Sequence, residues 1–559
     1  MLNFEDPKKQ EEFDNIREAE EEELAKILSN KYNARYTNLN LVPVKTDALR
    51  IIPEAISRDI KIAVFDIIGK KIKVAVISPN QQEIKDYLEK LQKQGYQIEL
   101  FMVSHASMEK AWNRYQEMSY ASKTDAGIID ISNKNIEEIL NAIKNLDDVK
   151  ESFSKIMNSS DPHQVSRFLE AVLAGAIALD ASDIHIEPEA EYITLRFRLD
   201  GILTEITQFD HKIYKLLLSR IKLISGLKLN IDKKPQDGRL SIKLGDKEIE
   251  IRTSVLPDVY GESVVLRILN PDAISVEIEN LGIEEHLFKI LTREISRPNG
   301  MILNTGPTGS GKTTSLYAFL RKIHTPDIKI ITIENPVEYH LLGIVQTQVD
   351  TAKGYTFLEG LRSSLRQDPD VIMVGEIRDN ETAKIAINSA LTGHLVFSTL
   401  HTNNAAGTFY RLIDLGIDPS IISTAVNVVI AQRLVRKPCS KCVKEIPIPE
   451  KDKKIVEKIL GEIPDVSQYT QNTEKIYQAV GCSECNNTGY KGRIGIFEAI
   501  LVDSETVKIL QQNPTKDEIK KIFQQQNILS LAQDGVVKAL NGKTTLEEVR
   551  RVVDLEEEF

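Results

Sequence analysis

"GMILNTGPTGSGKTTSLYAFLRKI", residues 300–323, decides the fold. The apolar run Met301–Asn304 reads as a buried strand, and Thr313–Ile323 reads as a helix. Between them, Gly306, Gly309 and Gly311 let the backbone turn tightly enough to aim its N–H groups inward. Lys312 adds a point charge for terminal phosphates, and Thr313 offers a hydroxyl to Mg²⁺. Pro307, Thr308, Ser310 and Thr314 complete the loop and the start of the helix. A glycine-rich turn that matches by chance lacks the strand before and the helix after, so the stretch points to a nucleoside triphosphate site in an α/β domain.

Such a loop needs a neighbouring parallel strand that brings an acidic group near the metal and the attacking water. "LRQDPDVIMVGEIRD", residues 365–379, meets that need: Val371–Val374 run straight into Gly375, Glu376, Arg378 and Asp379. Glu376 takes the place where an aspartate is usual.

The rest of the chain sets bounds. Its 559 residues exceed one core and predict about three or four domains. A net charge of −11 argues against a broad grip on nucleic acid phosphates. No apolar run approaches the length that spans a bilayer, and "MLNFEDPKKQEEFDN" has neither part of a signal peptide, so a cytoplasmic location is expected.

Residues 1–30 are an acidic segment, with "EAEEEEL" at 18–24. Residues 31–118 alternate short strands and helices as a small α/β domain, and 119–148 read as a linker holding the helix "NIEEILNAIKNL". Residues 149–272 form a strand-rich α+β domain, "NPDAISVEIENLG" at 270–282 reads as a hinge, and 283–559 form the loop-bearing domain with a parallel sheet.

All four cysteines fall in two C-x-x-C pairs, Cys439/Cys442 and Cys482/Cys485. Under reducing conditions four thiolates fit a closed structural Zn²⁺ site better than disulfides or redox-active pairs. Glu334 and Glu338 are separated by Pro336, so they are not one helical face. His394 and His401 bracket "LVFSTL" on opposite faces of a strand, which disfavours a shared metal and leaves phosphate sensing and plain strand-end hydrogen bonding both open.

A series of blocks resembles the secretion ATPases of type II secretion and type IV pilus assembly: "ASDIHIEP" at 181, "PQDGRLSIKLG" at 235, "GPTGSGKTTSLY" at 306, "TIENPVEY" at 332, "TGHLVFSTLHT" at 392, "QRLVRKPC" at 432, "GCSECNNTGYKGRIGIFE" at 481 and "ALNGKTTLEEVRRV" at 539. The resemblance implies a RecA-like P-loop ATPase domain with a parallel-stranded core, an α+β, PAS-like second domain before it, a small α/β amino-terminal domain, and a tetracysteine zinc insert at 436–498. It makes Gly306–Thr313 the Walker A loop, with Pro307, Thr308, Gly309, Ser310, Gly311, Lys312 and Thr314 around the nucleotide, and Glu376 the Walker B residue. Glu334 and Glu338 fall in its "aspartate box", where Asn335 replaces a common aspartate, so that Glu338 or Glu334 orients the water. His394 and His401 flank its "histidine box".

The resemblance also places arginines of the second domain at the nucleotide; Arg239, Arg252 and Arg267 are the candidates, against the alternative of wet-face residues on alternating strands. The implied protein is a cytoplasmic homohexamer using ATP, Mg²⁺ and structural Zn²⁺. It works with an inner-membrane platform protein and a cytoplasmic adaptor, and touches the membrane only through partners. "NLNLVPVKTDALRIIPEAI", residues 38–56, resembles the later part of an amino-terminal domain that binds cyclic di-guanylate in some members, without the opening of that ligand motif. A ring-shaped nucleic acid translocase and an ATP-holding scaffold are the other classes; the first lacks a basic aromatic channel, and intact Lys312, Thr313 and Glu376 weigh against the second.

Overall fold

The computed structural model describes residues 21–556 except positions 33, 43, 50, 94, 118–122, 125–127, 130–138, 141, 144, 160–163, 245–246, 271–275 and 511–515. Most of the acidic segment 1–30, much of the helix read at 135–146 and the first part of the 270–282 hinge therefore lie outside the described residues. The chain divides into two compact units, residues 1–136 with 240–248 and residues 137–239 with 249–559.

In the first unit, β1 (Arg35–Tyr36), β2 (Ile62–Ile68), β3 (Lys71–Val76) and β4 (Gln97–Met102) form a sheet in the order β1-β4-β3-β2. Strand period two sorts β3 between the faces: Ile72, Val74 and Val76 join Ile84 and Leu91 in one core, and Ala75 joins Phe65 and Trp112 in the other.

The second unit begins with α1 (Leu146–Met157) and α2 (Gln164–Ala178), packed through Phe153 and Phe168. An antiparallel run follows from β5 (Asp183–Pro188), β6 (Ile193–Leu199), β7 (Ile202–Phe209), β8 (Lys247–Asp258) and β9 (Gly261–Leu269), in the order β8-β9-β5-β6-β7. One row across it reads Arg252, Arg267, Asp183, Arg198. Two arginines directly opposite each other repel, so the row stands only with carboxylates beside it. Asp183 supplies two bonds, 2.9 Å to Arg267 and 3.3 Å to Arg198.

The quoted stretch folds as read. β10 (Gly300–Thr305) is buried throughout and leads through the loop into α3 (Lys312–Ile323). Beside it stand β11 (Ile330–Glu334), β12 (Val345–Gln348), β13 (Val371–Val374), β14 (Leu395–Leu400), β15 (Val426–Pro438) and β16 (Tyr490–Leu501), ordered β12-β11-β13-β14-β10-β15-β16. All neighbours are parallel except β15 and β16. Continuous apolar runs such as Val371–Val374 are what a sheet covered on both faces requires. The parallel order sets the loops after β10, β11, β13 and β14 at one edge, where such sheets bind ligands. Among the described residues no helix is long and apolar enough to cross a membrane.

Candidate active site

Gly306 and Gly311 hold φ of 149° and 90°, a region that L side chains avoid. A Cβ on them would meet the Gln432 carbonyl at 2.6 Å and the Gln432 amide nitrogen at 2.8 Å, so strand β15 presses on the loop from below. Pro307, Thr308 and Gly309 form its exposed lip, while Thr313 and Thr314 are half-buried in the first turn of α3. Two buried polar atoms, Ser310 Oγ in the loop and Asn304 Oδ1 just before it, find no hydrogen-bond partner among the described residues. A buried hydroxyl left orphaned in a glycine loop at a helix N-terminus fits a phosphate ligand.

Lys312 Nζ donates to the carbonyls of Gly306 at 2.7 Å and Pro307 at 3.0 Å. Burial, then the charge of Arg433, brings its pKa down to about 8, against the opposing pull of Glu376.

Glu376 reaches the same edge just past Gly375, where a Cβ would stand 3.2 Å from the Ile333 carbonyl at the end of the adjoining strand. Its carboxylate pairs with Arg378 at 2.6 Å and His401 Nε2 at 3.4 Å. Glu338 follows β11 and pairs with Arg252 at 2.9 Å; the same guanidinium donates to the Val337 carbonyl at 2.6 Å. Arg252 and Glu338, read separately in the sequence, thus meet within one chain. Arg267 is held by Asp183, whose carboxylate raises its pKa, and lies close enough to Glu338 to feel its charge. Arg239 is exposed on the strand Gln236–Leu244.

Two of the candidates sit apart from the loop edge or are enclosed. Glu334 is 3% exposed, and its oxygens accept from Tyr317, from Thr332 at 2.5 Å and from Gln346 at 3.2 Å. Burial raises its pKa, the three donors opposing, so this carboxylate faces the inside of the fold. His394 sits before β14, its Nδ1 3.0 Å from the Ser389 carbonyl, whereas the loop follows the far ends of β10 and β14. The six steps from His394 to Leu400 put about 20 Å between His394 and that edge, so of the two histidines His401 arrives there.

The sequence assigns Gln432 and Arg433 no role beyond their place in the "QRLVRKPC" block. The signal available was a Gln-Arg pair inside an otherwise apolar strand, "VNVVIAQRLV". On the other side of the loop lip, a cavity of about 550 Å³ is lined by Pro307, Asn403, Arg433 and Glu498, with Phe523 and Leu529 closing it.

The cysteines form a second centre. The four Sγ atoms lie within 4.8 Å of one another. Cys439–Cys482, Cys442–Cys485 and Cys482–Cys485 are 3.9, 3.8 and 3.7 Å apart. A tetrahedron with bonds of about 2.3 Å has edges of about 3.8 Å, so the set fits Zn²⁺. Burial raises the Cys485 thiol, but N–H donation from Cys482 and Gly489 overcomes it and brings the pKa to about 7, whereas burial pushes Cys442 up to about 11. Four crowded thiolates need a cation, and a closed set with no open position is structural rather than catalytic.

Comparison with known proteins gives the family. The family profile "Type II/IV secretion system protein" matches residues 158–551, and "MshEN domain" matches 32–121. The chain is 36% identical over 532 residues to the type IV pilus assembly ATPase PilB of Myxococcus xanthus (strain DK1622), covering 95% of this chain and 91% of that one. It is 43% identical over 397 residues to type II secretion system protein E of Aeromonas hydrophila, covering 71% and 77%. The X-ray structure of the Legionella pneumophila ATPase DotB shares the fold, with a TM-score of 0.50 at 22% identity over 71% of this chain and 98% of that one. A loop, an acidic strand end and four paired cysteines in this order, with a relative aligned over nearly the whole length, mean that the chain belongs to the type II/IV secretion system protein family.

Proposed function

We propose that this chain hydrolyses ATP and, as a homohexamer, drives assembly of type IV pili or type II secretion pseudopili through an inner-membrane platform protein and a cytoplasmic adaptor. The observation that carries the reading is the convergence of Lys312, Glu376 and His401 at one edge of a parallel sheet, where the charge of Glu376 reaches the Lys312 ammonium.

In this reading the loop N–H groups and Lys312 Nζ bind the terminal phosphates, Lys312 exchanging two carbonyls for phosphate oxygens. The Thr313 hydroxyl and the Glu376 carboxylate would hold Mg²⁺, whose charge would offset that of those oxygens. Glu338 Oε2 is fixed by Arg252, which leaves Oε1 to orient the water and take its proton. Cys439, Cys442, Cys482 and Cys485 hold a structural Zn²⁺. Glu376→Gln is expected to keep ATP bound and slow turnover by about 10²–10³-fold, the scale of one lost electrostatic group. Turnover near wild type in that variant, measured by phosphate release, refutes the assignment of Glu376.

The arginine row supplies positive charge to the developing transition state. Arg252→Ala is expected to leave ATP affinity within a few-fold and cut turnover by about 10²-fold or more, since it removes both a charge and the group that holds Glu338. Arg267→Ala and Arg239→Ala are measured beside it, each also mixed with Lys312→Ala subunits, where recovered activity means action across subunits. Wild-type rates in all three variants make the strand-rich region a passive spacer.

A further inference from the structure

Thr305, the last residue of β10, pairs with Ala431. Gln432 therefore stands one step further along β15, beside Gly306, and what it does there follows from its bonds. Its Oε1 accepts from Asn304 Nδ2 at 3.2 Å and from Ser315 Oγ at 2.7 Å. Asn304 lies on the strand entering the loop and Ser315 on the helix leaving it, so one side-chain oxygen ties the two arms together. The main-chain carbonyl of Gln432 lies where a Cβ on Gly306 would come within 2.6 Å of it, and it accepts from Arg433 Nη1 at 3.0 Å. Arg433 Nη2 donates to the Asn403 carbonyl at 2.5 Å, two residues past His401, which pairs with Glu376.

Gln432 and Arg433 are 2% and 9% exposed. Apolar residues would fill a buried strand at lower desolvation cost. Stability alone does not explain the pair; a set of bonds that fixes one geometry does.

We infer that Gln432 and Arg433 are positioning residues of the nucleotide site: Gln432 holds the two arms of the loop at a fixed separation, and Arg433 ties strand β15, on which the loop rests, to the segment that carries His401. The inference rests on the ATPase reading above. Loss of the first bond set splays the loop and misaims its N–H groups, which weakens nucleotide binding. Loss of the second lets His401 and Glu376 shift relative to Lys312, which slows the chemical step while the bound phosphates stay in place.

The test uses the full chain, with Mg·ADP binding by calorimetry, steady-state ATP turnover and thermal unfolding. Gln432→Met is expected to weaken Mg·ADP by about ten-fold or more, because two buried donors lose their acceptor. Ser315→Ala is expected to weaken it less, and the double variant to fall short of the summed effects, the mark of a shared interaction. Arg433→Met is expected to lower kcat by about ten-fold with KM within about three-fold, and Arg433→Lys to recover part of the kcat, since it reaches one carbonyl of the two. If Gln432→Met does not fold, Asn304→Ala with Ser315→Ala probes the same acceptor from the donor side.

Wild-type Mg·ADP affinity and kcat in these variants overturn the inference, as do additive effects of Gln432→Met and Ser315→Ala. Parallel loss of affinity, kcat and thermal midpoint in every variant also overturns it, because the pair is then structural only. A wild-type chain that binds Mg·ADP but turns over no ATP removes the ATPase reading and the Arg433 half of the inference with it, and the Gln432 clamp is decided by binding alone.

Discussion

Lys312→Ala is expected to lower ATP turnover by at least about 10²–10³-fold and to weaken nucleotide binding as well. The ammonium is the charge of the loop, held at its mouth by the Gly306 and Pro307 carbonyls, and no neighbouring lysine follows it in α3 until Lys322, at the opposite end of that helix. Alanine also leaves those two carbonyls facing the incoming phosphates without a cation between them. The same group gives a pH signature. Its pKa lies at about 8, held down first by burial. A polyanion favours the charged form and raises that pKa, so binding above pH 8 takes up a proton. Affinity is therefore full below about pH 8 and falls as pH rises through it. Calorimetry in buffers of different ionisation enthalpy reads the proton directly. Wild-type turnover in Lys312→Ala, or an affinity flat from pH 7 to 9.5 with no proton uptake, would sink the placement of this lysine on the phosphates.

Removing the metal is expected to have the other large effect. Purified protein should carry about one Zn²⁺ per chain. Structural zinc contributes on the order of 10 kcal/mol to the folding of small isolated modules, and here the module is also anchored to a larger core. The anchor is specific: Arg436 stacks on Tyr490 at 4.0 Å and pairs with the buried Glu548 of the carboxyl-terminal helix at 2.6 Å. Chelation, or Cys482→Ser, should therefore unfold the segment from Cys439 to Gly489 first and leave the parallel sheet standing. Hydrogen exchange reads this as lost protection confined to that segment, at unchanged protection in β10 and β13. Metal-free protein that keeps its protection there, or disulfides in protein prepared with reductant, would overturn the structural site.

The amino-acid sequence determined by itself whatever is built from neighbours along the chain. The strand, loop and helix of residues 300–323 lie in one stretch, and glycines at positions of positive φ state the turn locally. The same holds for Glu376, which directly follows the strand that delivers it, and for the cysteine pairs, whose spacing within each pair is already that of a metal knuckle. Where a side chain depends on strands far apart in sequence, the residues did not show it. Arg252 and Glu338 are 86 positions apart, and Gln432 and Asn304 are 128 apart. The meeting of Gln432 and Asn304 follows from strand order, which hydrophobic patterning leaves open because every buried parallel strand carries much the same apolar run, and that of Arg252 and Glu338 from how two sheets lie together. Histidines at the two ends of one strand look equivalent in a sequence. Only the parallel register of β10 and β14 decides that His401 faces the loop edge while His394 is left at the other end. Glu334 and Glu338 likewise share one short motif, and it took the packing of Tyr317 and Gln346 to enclose the first, while the second emerges beside an arginine from another sheet. Backbone preference is a local property, but burial and charge pairing belong to the assembled fold, which is why the loop was legible and its supporting clamp was not.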